Sequence, residues 1–208
     1  VMTDSVDQVV PALKKIQNAV DDGFYAAGYV SYEAAPAFDR RFAVHADPKM
    51  PLLWFGIFRN PCVSKEPVSN GTYQFSNWQS STTMETYESN ISTIIKKMDE
   101  EHTDQVNYTM RLRSEFRGDD LSFYRQLSNG QDSNYCAYMN IGRFRILSAS
   151  PELFFRWHGN QITTRPMKGT VGRGRWKEED DSNASWLYHS EKNRSENAMI
   201  VDLLRRDL

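Results

Sequence analysis

The stretch YCAYMNIGRFRILSASPELFFRWHGNQITTR, residues 135–165, decides the fold. It is rich in aromatic and β-branched residues and is punctuated by turn signals, so it reads as three strands. Its last turn is the clearest. PELFFRW (151–157) and QITTR (161–165) flank HGN (158–160), a hairpin signal. With Gly159 and Asn160 as the loop residues, His158 pairs with Gln161 and Trp157 with Ile162. Counting outward brings Glu152 opposite Met167, beside Lys168, and a slip of one residue keeps the two as neighbours. Pro166 cannot donate to a ladder, so regular pairing is expected to stop there.

Upstream of this stretch, residues 4–23 open on an aspartate cap, space Val6, Val10, Leu13, Ile16 and Val20 at helical intervals, and close at Gly23. YAAGYVSYEA (25–34) and PLLWFGIF (51–58) read as strands. Residues from about 60 to 82 form a polar, turn-rich excursion. METYESNISTIIKKMDEE (84–101) is a second amphipathic helix, with Tyr87, Ile91, Ile94, Ile95 and Met98 on one side. TDQVNYTMRLRSEF (103–116) alternates like a half-buried strand, and SFYRQLSN (122–129) is a short helix. Residues 183–208 read as one long terminal helix without a glycine, asparagine or proline stop. Its Ile200, Val201, Leu203 and Leu204 need something to pack on, so the chain is expected to be the front part of a longer protein. Clustered strands and helices, without regular βαβ units, predict an α+β fold with mostly antiparallel sheets flanked by helices. We expect one domain over 1–208, with a subregion over about 1–80 and a core that starts at about 83.

Composition removes several function classes. The net charge of −2 gives no basic domain of the kind that nucleic acid requires. No apolar run is long enough to span a membrane, and VMTDSVDQVV carries no secretory pattern, so a cytoplasmic protein is expected. Cys62 and Cys136 show no metal or redox spacing and read as buried thiols of a reduced compartment. His45, His102, His158 and His189 are scattered, without paired metal spacing.

TRPMKGTVGRGR (164–175) concentrates cations and glycines. It is not a phosphate loop, because Lys168 precedes Gly169-Thr170 with no glycine five residues ahead. Glu178, Glu179, Asp180 and Asp181 follow at once and cancel its field. Glu152 and Lys168 remain as a pair. As a surface salt bridge the pair is worth about 0–1 kcal/mol, and on pairing alone that reading has the better claim. In a desolvated pocket both groups are pushed toward neutrality, which suits a lysine nucleophile and a general acid. On the terminal helix Asn193, Glu196, Ile200 and Leu203 share a face. Glu196 there needs either a cationic neighbour, such as Lys192 or Arg194, or a hard metal ion.

The blocks SASPELFF (148–155), TRPMKGT (164–170) and SEKNRSENAMIVDLLRRDL (190–208), with DQVN (104–107) and AAGYVSYEAAPAFD (26–39), resemble the chorismate-binding enzymes. Within that family the resemblance is strongest to the component I group of the aminodeoxychorismate synthases. It implies the antiparallel α+β fold of the anthranilate and aminodeoxychorismate synthase first components. It also implies amination of chorismate at C4, with ammonia from a glutamine amidotransferase subunit. By the resemblance, Lys168 matches the lysine that attacks C2, where anthranilate and isochorismate synthases usually carry alanine. Glu152 matches the general acid/base at the C4 hydroxyl, and Glu196 a glutamate of the Mg2+ site. Gly169 and Thr170 line the substrate, and Gln105 stands where water-using relatives carry a basic lysine. Two positions depart from the family: Asp104 replaces an aromatic, and Arg206 stands where asparagine is common. The family also continues for roughly another domain's worth of chain. The 208 residues are therefore expected to form an incomplete site, inactive alone. The alternatives are an anthranilate synthase-like amination at C2, or a truncated non-catalytic domain.

Overall fold

The computed structural model describes residues 1–62 and 70–208. It is an α+β structure of eleven short strands and five α-helices among those residues, and every strand pairing is antiparallel. The chain divides into two compact units, one of Val1–Pro61 with Gln126–Leu208, the other of Cys62–Arg125.

In the first unit, β1 (Met2–Thr3), β2 (Tyr25–Val30) and β3 (Leu53–Phe58) form a sheet of order β1-β3-β2. Helix α1 (Val6–Asp21) packs on it. Val9, Ala12 and Ile16 of the helix meet Ala34, Leu52 and Leu53, and these six are the fully buried apolar residues among those described. The helix thus buries a stripe at i, i+3 and i+7 that includes the expected Ile16; the expected Val6 and Leu13 pack partly buried against it, Val10 is half-buried, and Val20 is left 41% exposed. Its N-cap is Ser5 and not Asp4. Gly23 ends it as expected, at φ 90°, where glycine alone is unstrained. Leu53, Phe55 and Ile57 alternate inward on β3, and Gly28 faces Phe55 across the ladder. A methyl on Gly28 would fall 2.0 Å from the Trp54 carbonyl oxygen, so this position requires glycine. The strand expected over 25–34 ends at Val30. Its continuation is a 3-10 turn, Tyr32–Ala37, built from the helix formers Glu33, Ala34 and Ala35.

Farther along the same unit, the stretch 135–165 forms four strands where three were expected. β8 (Tyr135–Asn140) pairs with β9 (Arg145–Ser150), and β10 (Leu153–His158) with β11 (Gln161–Arg165). The extra hairpin turns at Gly142, whose N–H donates to the Asn140 side chain at 3.0 Å. The terminal helix is also two helices, α4 (Lys177–His189) and α5 (Glu191–Asp207). Ser190 breaks them apart, because its hydroxyl accepts from the Asn193 N–H at 3.4 Å and caps α5. No residue of either helix is fully buried, and Val201 and Leu203 are 48% and 51% exposed. Arg206 pairs with Asp202 one turn back.

The second unit holds α2 (Met84–Asp99), the first half of α3 (Asp120–Gln131), and two two-stranded ladders. These are β4 (Tyr73–Phe75) with β7 (Phe116–Gly118), and β5 (Gln79–Ser80) with β6 (Leu112–Arg113). Tyr73, Phe75, Phe116 and Phe123 form an aromatic cluster with ring centroids 4.8–6.2 Å apart. Of the excursion expected over 60–82, residues 63–69 lie outside the described residues. The strand expected over 103–116 is reduced to Leu112–Arg113 and the start of β7. Instead, Tyr108 folds back on α2. Its ring meets Tyr87 edge-on at 5.5 Å, and its hydroxyl accepts from Asn90 at 2.8 Å. Tyr87, Ile95 and Met98 of α2 stay exposed, while Ile91 and Ile94 are half-buried. Cys62 is exposed and Cys136 half-buried, so neither is the buried thiol that was expected.

Candidate active site

Glu152 is placed by a local break in the chain. Ser150 ends β9, Pro151 has no N–H to continue a ladder, and the Ser150 hydroxyl accepts from the Glu152 N–H at 3.2 Å. The hairpin beyond it has the expected register at its tip, His158 opposite Gln161 and Trp157 opposite Ile162. A bulge between Leu153 and Arg156 then shifts the ladder by one, so that Leu153 faces Arg165. The shift leaves Glu152 at the open end. Its Oε1 accepts from the Met167 N–H at 3.3 Å, one peptide before Lys168.

Lys168 is half-buried and lines a cleft of about 460 Å³ against α4 and α5. The wall opposite it is built by Leu187, Tyr188, Asn193, Arg194, Asn197 and Val201. The cleft carries amides, apolar side chains and two cations, with no carboxylate in its lining. That composition suits a small anionic ligand with an apolar body. Gly169 turns the chain away at φ 77° and presses against Asn193. Thr170 is exposed and outside this lining. Gln105 belongs to the second unit, where it is half-buried and its carbonyl accepts from the Thr103 hydroxyl at 3.2 Å.

Glu196 is half-buried on α5 but is not among the residues that line the cleft. Among the described residues it makes no hydrogen bond or ion pair, and no group of three His, Cys, Asp or Glu gathers around any point. A magnesium site needs several oxygens around one ion. Glu196 is at most one ligand, and no chemical step is built on the ion here.

Two further cations of TRPMKGTVGRGR, Arg173 and Arg175, are tied to the start of α4. Asp180 accepts from Arg173 Nε at 2.7 Å, Arg173 Nη2 at 2.6 Å and the Gly174 N–H at 2.9 Å. Glu179 accepts from the Arg175 N–H at 2.7 Å. The loop crosses so close to the helix that a methyl on Gly174 would sit 2.2 Å from the Asp180 nitrogen. These arginines hold the loop to α4 and do not face the cleft. The Arg173 guanidinium, and after it the Gly174 N–H, keep the Asp180 carboxyl below the ordinary carboxylate range. A depressed carboxyl contributes stability above its ordinary pKa of about 4, and that stability is lost as pH falls through its lower folded value. Asp180→Asn is therefore expected to be less heat-stable than the parent at neutral pH. The difference should shrink as the pH is lowered below about 4. Thermal unfolding followed by circular dichroism across that range checks this, and a pH-independent difference would remove the ionic account.

Sequence reasoning missed the wall of the cleft: Tyr188, Asn193, Arg194, Asn197 and Val201. The signal that could have found it is Ser190 followed by acidic Glu191, a helix start that places a new face behind Lys168.

The family model described as chorismate binding enzyme matches residues 63–208. The chain is 34% identical over 146 residues to anthranilate synthase component 1 of Aquifex aeolicus (strain VF5), covering 70% of this chain and 28% of that protein. It is 35% identical over 133 residues to aminodeoxychorismate synthase component 1 of Escherichia coli (strain K12), covering 64% and 29%. To the protein of the same name in Klebsiella aerogenes it is 32% identical over 162 residues, covering 78% and 35%. The chain thus spans 28–35% of the length of these relatives.

Proposed function

The chain belongs to the chorismate-binding enzyme family, and from that membership we propose that it serves the C4 amination of chorismate to 4-amino-4-deoxychorismate. The observation that carries the choice is Lys168, whose preceding peptide N–H is held by Glu152 at the open end of the hairpin. By the family resemblance, the C2-aminating and water-using members usually lack a lysine there. Relatives named for both reactions are similarly identical to this chain, so overall identity favours neither, and Lys168 is what supports this reading.

In the proposed reaction the unprotonated Lys168 amine adds to C2. The ring double bonds shift, and the C4 hydroxyl leaves as water with a proton from Glu152. Ammonia then adds at C4, the double bonds return, and Lys168 leaves C2. The net change is exchange of hydroxyl for amine with release of one water. Lys168 lines the cleft together with the apolar Leu187 and Val201, which suit the apolar body of the substrate. Arg194 and the amides of Asn193 and Asn197 suit the carboxylates of the dianionic substrate. Gln105, by the resemblance, supplies no base that would activate water. Glu196 is proposed as one magnesium ligand; a bound ion would anchor a substrate carboxylate. Ammonia would come from a glutamine amidotransferase partner, in keeping with the component 1 names of the relatives. No helix among the described residues is long and apolar enough to cross a membrane.

The test is the full natural chain incubated with chorismate, magnesium and ammonium, its product identified by mass and fluorescence. The expected product is 4-amino-4-deoxychorismate without anthranilate. Anthranilate as the main product would establish the C2 reading instead.

A further inference from the structure

We propose that Asn193 is a positioning residue for Lys168, acting through Gly169. Three observations meet at this side chain. Its Nδ2 donates to the Ser190 hydroxyl at 2.9 Å, and the same hydroxyl accepts its backbone N–H at 3.4 Å. The side chain is therefore fixed at both ends of its first two bonds, on the first turn of α5. Against it lies Gly169. A methyl placed on Gly169 would fall 2.7 Å from Asn193 Cγ and 2.8 Å from its Cβ and Oδ1. That distance is closer than any side chain at 169 could tolerate, so the loop backbone rests directly on the amide. Gly169 also holds φ 77°, a region that glycine occupies without strain. The residue before it is Lys168, which lines the same cleft as Asn193.

The stack Ser190–Asn193–Gly169 sets how far the Lys168 backbone stands from α5. On the other side, Glu152 holds the Met167 N–H. The lysine is thus gripped from both flanks, by a carboxylate before it and by an amide after it. A flexible side chain of this kind reaches a fixed point only if its backbone is fixed, and nucleophilic attack needs reacting atoms within about 3–3.5 Å. The capping serine, which also splits the terminal helix, is what orients the amide.

The significance for chemistry rests on the reading of Lys168 as nucleophile, but the positioning itself does not, and the test separates them. Competitive acetylation with acetic anhydride, read by peptide mass spectrometry, compares Lys168 with exposed Lys14 of α1 in the same sample. Asn193→Ala removes the support, so the Lys168 to Lys14 labelling ratio is expected to rise roughly fivefold. Asn193→Asp keeps the shape, with the Ser190 hydroxyl now donating to the carboxylate, and should restore the parent ratio. Ser190→Ala leaves the amide in place without its anchor, and should raise the ratio in the same direction by less, which serves if Asn193→Ala does not fold. An unchanged ratio in the alanine variants, or an equal rise in Asn193→Asp, overturns the proposal. Failure of the C4 amination reading would show instead as the wrong product, with these ratios as expected.

Discussion

Lys168→Ala is expected to lower 4-amino-4-deoxychorismate formation by about a thousandfold or more in the full natural chain with chorismate and ammonia. The size follows from the role. A residue that forms and then breaks a bond to C2 has no substitute among the described residues that line the cleft, where the other cation is the guanidinium of Arg194. Lys168→Arg separates charge from nucleophilicity. It keeps the positive group that steers the substrate but cannot offer a free amine, and is expected to be as inactive as the alanine variant. Initial rates with mass detection of product check both. Amination at C4 that survives in either variant removes Lys168 as the nucleophile.

The second large effect is on stability. Leu53→Ala is expected to cost about 2–5 kcal/mol, because Leu53 is 0% exposed in a core of six fully buried residues among those described. The cavity would open where Val9 and Ile16 of α1 meet β3, the contact that holds helix and sheet together. Trp157→Ala, on the 71% exposed β10 face, is expected to change stability by about 0.5 kcal/mol or less. Urea unfolding followed by circular dichroism compares the two. Equal effects would mean that α1 and its sheet are not the stabilising centre of the first unit.

Where a reading rested on local chemistry, the fold was legible. The HGN turn set its own register, and Gly23 stopped α1, because each depends on residues in contact along the chain. The antiparallel α+β class followed from the same clustering. Readings that needed distant contacts went astray. The buried stripe of α1 is chosen by Leu52, Leu53 and Ala34, so Val9 and Ala12 join the expected Ile16 in the core, while Val6 and Leu13 lie at its edge and Val20 stays exposed. Residues 103–111 alternate like a strand, but Tyr108 docks on Tyr87 and Asn90 of α2 instead of entering a ladder. The long terminal helix hid a cap, because Ser190 was judged by helical periodicity and not by its hydroxyl.

The site was legible in the same uneven way. The count outward from the hairpin tip brought Glu152 beside the segment that carries Lys168, and the bulge that shifts the ladder leaves the contact intact through the Met167 N–H. The cleft facing Lys168 was not legible, since it exists only once α5 begins at Glu191 and folds behind the loop. Glu196 was singled out for its helical face. Asn193 of that face lines the cleft and Glu196 does not, so the helix pattern alone did not tell which of its residues meet the cleft.

The most direct test is to mix the full natural chain with chorismate in the absence of ammonia, quench at intervals, digest, and weigh the peptide that contains Lys168. The account predicts that this peptide gains the mass of chorismate less one water, that the gain maps to the lysine, and that ammonia removes it. An unmodified Lys168 peptide at every interval, in a preparation that makes 4-amino-4-deoxychorismate once ammonia is added, would contradict it.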